Sequence, residues 1–205
     1  EAAWRIFEVL GQSYNLSRAF NYRGQVEAYD SKFQEAARFF EESLSRARQV
    51  GNRTIEGLAL FNLGVVHERL GQRAPVLRYY QQSRDFYQQI GNERRAAEQE
   101  VNTASLLVNY GGDQNEALRR LSIARATLSK LGSVEFDVLA MQTEAVSHRN
   151  AGRLAEALRQ LREALSLAKE RQLSNKTVSV TVDIADSRLL LSEYEAARAS
   201  LEEIA

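Results

Sequence analysis

The chain has 205 residues, 44% hydrophobic and 26% charged, enough apolar surface to offset the entropy of folding, which excludes a disordered tail. Its 27 basic and 27 acidic residues cancel, so no net field draws it to nucleic acid or an anionic membrane, and neither partner is expected. Cysteine is absent, which excludes disulfides, thiolate nucleophiles and cysteine metal sites, and no apolar run nears the roughly 20 residues that span a bilayer.

One proline and an abundance of Ala, Leu, Arg, Glu and Gln predict helix nearly everywhere. The opening residues, EAAWRIFEVLG, read as the second helix of a truncated repeat over 1–14. Without an initiator Met, the chain is expected to be a piece of a longer protein. Helix-end glycines Gly11, Gly51, Gly91 and Gly132 then recur at steps of 40, 40 and 41 residues. A second marker, Ala36, Val76, Ala117, Ala157 and Ala197, recurs at 40, 41, 40 and 40. Two markers keeping one period predict an array of helical hairpins: full repeats at 15–53, 54–93, 94–134 and 135–174, and a nearly complete fifth at 175–205.

The second repeat shows the plan. Leu60, Leu63, Gly64, His67 and Leu70 share one face of a first helix that Gly71 ends. Pro75 then sits in the first turn of a second helix, whose inner face carries Val76, Tyr80, Ser83, Tyr87 and Ile90. Small residues Gly24, Gly64, Ala104, Ala145 and Ala185 are expected where paired helices cross closely. Gly111 and Gly112 supply the extra residue of the 41-residue step. Thr177–Val182 (TVSVTV) alternates like a strand, yet the period places it in a helix.

Catalysis finds no support in these residues, and no cofactor or metal is expected. The two histidines, His67 and His148, occupy one repeat position and read as packing residues. Gly111–Asp113 (GGD) reads as a turn without the strand a phosphate loop needs, and no serine has a recognisable histidine and acid partner.

Asn62-Leu63-Gly64, His67, Leu70-Gly71, Val76, Tyr80 and Ser83 resemble the tetratricopeptide-repeat pattern of asparagine, leucine, small residue, aromatic, leucine-glycine, alanine, aromatic, small residue. The 40-residue period and the linking GN-x-x-x-E of Gly51 to Glu56 are similar to the longer-helix branch seen in Pins/LGN-type adaptors, kinesin light chains and bacterial regulators such as MalT. Departures are Arg23 in place of leucine, Ser31 and Ser192 in place of the turn glycine, and Val76 in place of alanine. The resemblance implies an all-α fold, a right-handed α-α superhelix (TPR solenoid) whose first helices line a concave groove for a protein or peptide partner.

The groove positions implied by the resemblance include Tyr22, Gln25, Tyr29, Phe61, Asn62, Arg69, Asn102, Asn109, Arg149 and Asn150, together with Asn21, Gln142, Asp183 and Asp186. Asn62 and Asn102 are implied to bond a peptide main chain; the alternative is a local bond between helices. Tyr22, Tyr29 and Phe61 are the implied anchors, with simple packing as the alternative. Anchoring is expected in the N-terminal half, because 14 of the 17 aromatic residues lie between Trp4 and Tyr87. Asn21, Asn62, Glu98 and Asn102 stand where the family's chaperone-tail clamp needs lysine or arginine, which argues against that ligand. The leading expectation is a non-catalytic, cytoplasmic interaction module. Alternatives are a sensor domain of a bacterial regulator, hinted at by four lysines against 23 arginines, and a self-association unit using exposed array ends.

Overall fold

The computed structural model describes Arg5 and residues 13–204. The truncated repeat expected over 1–14, with Gly11, lies almost wholly outside them; Ser13 and Tyr14 already belong to the first described helix. Over residues 13–204 ten helices follow one another: α1 (Ser13–Tyr29), α2 (Phe33–Gln49), α3 (Arg53–Arg69), α4 (Arg73–Gln89), α5 (Glu93–Asn109), α6 (Gln114–Lys130), α7 (Val134–Asn150), α8 (Leu154–Glu170), α9 (Ser174–Leu190) and α10 (Tyr194–Glu202). Among the described residues there is no strand, and Thr177–Val182 is helical within α9. Helices start every 20 residues except once. The exception is the α5–α6 joint, where Gly111, Gly112 and Asp113 give the extra residue, and the Asp113 side chain accepts from the Asn115 and Glu116 backbone N–H groups to restart the helix.

The period is written into the turns. At all nine joints one residue takes a left-handed conformation, and the next N–H reaches the carbonyl five residues back, as in Asn52 to Ala47 at 2.8 Å and Gln72 to His67 at 3.0 Å. Six of these positions are glycine; Ser31, Gln172 and Ser192 fill the rest. The GN-x-x-x-E segment has a mechanical reason. Gly51 turns at φ 66°, Asn52 caps α3 by accepting from the Ile55 N–H, and Glu56 pairs with Arg48 at 3.1 Å.

The helices cluster into two compact units, Glu1–Asn92 and Glu93–Ala205. In the first unit α1 pairs with α2 and α3 with α4, and α3 packs on α2. Small residues meet rings here: a Cβ on Gly24 would fall 2.6 Å from Phe40, and one on Gly64 would collide with Tyr80. Asn52 Nδ2 donates to Ser17 Oγ at 3.2 Å, tying the second hairpin to the first.

In the second unit, hairpins α5–α6, α7–α8 and α9–α10 stack in order. Ala104 and Leu121 share one core cluster, and Ala145 and Leu161 another, so alanine opposes leucine where glycine opposes an aromatic in the first unit. Arg125 of α6 donates to Asp137 at 2.8 Å and to Glu144 at 2.9 Å on α7, while Gln160 of α8 donates to Glu144 at 2.6 Å. Within both units the first helices also pack on one another, α1 on α3, α5 on α7 and α7 on α9, and no comparable packing joins the second helices. Beyond α1, the first helices of successive hairpins start at Arg53, Glu93, Val134 and Ser174, each one residue before the expected boundary.

Candidate functional site

The first helices carry the implied site residues. On α1, Tyr22, Gln25 and Tyr29 follow a three-and-four spacing that keeps them on one face. Tyr22 is 56% exposed and Tyr29 91%, an unusual freedom for large rings. Next to Tyr22, Asn21 is buried at 1% exposure. Its Oδ1 accepts from Gln25 Nε2 at 3.0 Å and from Asn62 Nδ2 of α3 at 3.4 Å, while its own Nδ2 has no partner. Asn62 is therefore half-buried in an interhelix bond. Phe61 is half-buried with its ring stacked on Tyr80 at 6.3 Å, and Arg69 is exposed near the end of α3.

The remaining implied residues lie in the second unit. Asn102 is half-buried and donates to Gln99 Oε1 at 3.4 Å; Asn109, exposed, donates to Ser105 Oγ at 3.3 Å. Asn150 of α7 donates to the Val108 carbonyl of α5 at 3.2 Å. Arg149 is half-buried, and its charge lowers the pKa of Asp183. Gln142 of α7, buried at 6% exposure, donates through Nε2 to Ser179 Oγ at 2.8 Å and to Asp183 Oδ2 at 2.7 Å on α9, leaving its Oε1 unpartnered. Burial pushes the Asp183 carboxyl above its ordinary value, Asp186 adds to the rise, and the Gln142 bond and Arg149 oppose it.

Asn21–Asn62 and Gln142–Asp183 are the same contact made twice. Both pairs are 41 residues apart, one more than the period, and link a first helix to the next through a side chain with one orphaned atom. Sequence reasoning maps Asn21, Gln142 and Asp183 to this face without pairing them; polar residues spaced at 41 were the available signal.

The histidines pack. The His67 ring stacks on Tyr79 at 5.3 Å and its Nδ1 donates to Gln72 Oε1 at 2.6 Å. His148 Nδ1 accepts from Arg153 Nε at 3.1 Å, and burial, with help from Arg153, holds its pKa below the usual value. Among the described residues no group of three or more His, Asp or Glu is placed to hold a metal, and no helix is long and apolar enough to cross a membrane.

These features define a helical-hairpin repeat protein whose first helices present amides and free tyrosines. Residues 15–89 match the family model of the tetratricopeptide repeat, and the same hairpin geometry continues to residue 202. Residues 15–89 are thus tetratricopeptide repeats. Among solved structures it is similar to a Rap protein complexed with competence and sporulation factor, at 18% identity and a TM-score of 0.79 over 94% of this chain. It spans 53% of that Rap chain, about half its length. BtubC (BKLC) from P. vanneervenii matches at 14% identity and a TM-score of 0.75, covering 100% of this chain and 84% of its own. A kinesin light chain of Podosopora anserina with nearly identical TPR-like repeats matches at 14% identity and a TM-score of 0.67, covering 91% and 92%. At these identities the likeness is one of fold. No curated sequence matches the chain.

Proposed function

We propose that the protein is a non-catalytic, cytoplasmic interaction module that holds a peptide or helix of a partner on its first-helix faces, with α1 and α3 of the first unit as the main contact. The observation that carries this reading is the pairing of two freely exposed rings, Tyr22 and Tyr29, with a buried amide, Asn21, that lacks an acceptor. Tyrosines lose little side-chain entropy on ordering and supply anchoring area, and an unpaired amide donor suits a peptide carbonyl. The long Asn62–Asn21 bond is weak enough to exchange for a ligand's main chain. The likeness in fold to a Rap protein complexed with a factor supports ligand binding by such an array.

Panning phage-displayed random peptides on the whole chain tests this. Selected peptides should lose at least about tenfold in affinity on Tyr22→Ala plus Tyr29→Ala, in line with anchor residues contributing more than 1 kcal/mol each. Arg119→Glu, on an exposed second-helix position, should leave them unchanged. Equal binding by the tyrosine variant and loss on Arg119→Glu would move the function to the opposite surface.

A further inference from the structure

Ser179, Asp183 and Asp186 stand at i, i+4 and i+7 on one face of α9, and Gln142 reaches the first two of them from α7. Hydrogen-bond acceptors outnumber donors here. Asp183 and Asp186 bring two carboxylates, against which the charge of Arg149 is the opposing influence on Asp183. The Gln142 amide spends its donor on Ser179 and Asp183 and keeps a buried Oε1 with no donor at all. A buried acceptor left unpaired is destabilising unless something supplies the missing N–H. The equivalent place in the first unit has the opposite deficit: Asn21 there lacks an acceptor.

We propose that the α7–α9 face is a subsite for a cationic side chain of the partner, an arginine whose donors satisfy Gln142 Oε1 and the carboxylates of Asp183 and Asp186. A guanidinium suits the place because it is all donor and carries the charge that two carboxylates beside one arginine lack. The geometry deepens the reading of the first-helix faces as a peptide site and rests on it. It adds that a segment bound to the second unit carries an arginine at this point.

The test is a titration of the isotope-labelled chain with N-acetyl-arginine methylamide and with its neutral isostere N-acetyl-citrulline methylamide, followed by NMR. The arginine probe should shift the Gln142 side-chain amide and the Asp183 carboxyl carbon saturably, and citrulline should bind at least about tenfold more weakly. Asp183→Asn plus Asp186→Asn should abolish the difference between the probes. Asp186→Asn alone, at an exposed position, should reduce it and covers the case in which the double variant folds poorly. Equal shifts from both probes, or wild-type arginine binding by these variants, overturn the subsite. The two readings fail separately: phage-selected peptides that need Tyr22 and Tyr29 but ignore Asp183 and Asp186 would retain the module and discard the cationic subsite.

Discussion

Gly64 of α3 lies so close to the Tyr80 ring of α4 that a single added methyl group has no room. Tyr80 is held there, 3% exposed, by its stack on Phe61 and by donating its hydroxyl to Glu68 at 2.8 Å. Gly64→Ala should therefore destabilise the protein by about 1 to 3 kcal/mol through overpacking, although alanine is the better helix former. The second unit shows the cure, since Ala104 and Ala145 sit with Leu121 and Leu161. Gly64→Ala combined with Tyr80→Leu should recover much of the loss, with a coupling of about 1 kcal/mol or more between the sites. Denaturant midpoints of the two singles and the double measure it; strict additivity would mean the pair does not interact.

The turn at Gln172 carries a left-handed backbone, φ 55°, on a side chain with a Cβ, while Gly132 and Gly152 turn the same way without one. Relieving that strain outweighs the added freedom of the unfolded chain, so Gln172→Gly should stabilise by about 0.5 to 1 kcal/mol. Gly152→Ala, at φ 74° in open space, should cost a similar amount for backbone reasons alone. Thermal melts that move in the same direction for both variants would contradict this.

Asp183 binds its proton more tightly in the folded protein than in the unfolded chain, chiefly because it is buried. The unfolded state then carries fewer protons over that range, and the contribution of this group to stability falls as pH rises from about 4 through its raised folded pKa. Asp183→Asn removes the titration while keeping an oxygen for Gln142. Relative to wild type it should be more stable at pH 7 and lose that advantage near pH 3.5. A wild-type advantage that grows toward neutral pH would show that the carboxylate is stabilised in place.

Asn52 performs two tasks from 2% exposure, capping α3 through the Ile55 N–H and donating to Ser17 of α1. Asn52→Ala removes both and leaves a buried backbone donor without a partner, for a loss of about 1 to 2 kcal/mol. Asn52→Ser should recover the cap but not the reach to Ser17, placing its midpoint between wild type and alanine. Equal midpoints for serine and alanine would assign the whole effect to the tie between hairpins.

Helices, turns and repeat length were open to reading because their causes are local. A 3.6-residue apolar rhythm, a glycine able to turn left-handed and a short polar cap act within one or two turns of chain, so Gly51, Gly91 and Gly132 announce the 40-residue step. Even the tight crossings at Gly24 and Gly64 showed, since only small residues recur there. Gln172 escaped notice because its neighbours impose a turn that its own propensity does not signal. The site was legible only as a face. That Phe61 stacks on Tyr80 depends on the pairing of α3 with α4 within one hairpin; that Asn21 meets Asn62, and that Gln142 meets Asp183 with an acceptor left over, depend on the stacking of one hairpin on the next. That stacking offsets contacts by one residue from the sequence period, and it is set by the summed packing of whole helix faces, a quantity that no single repeat contains.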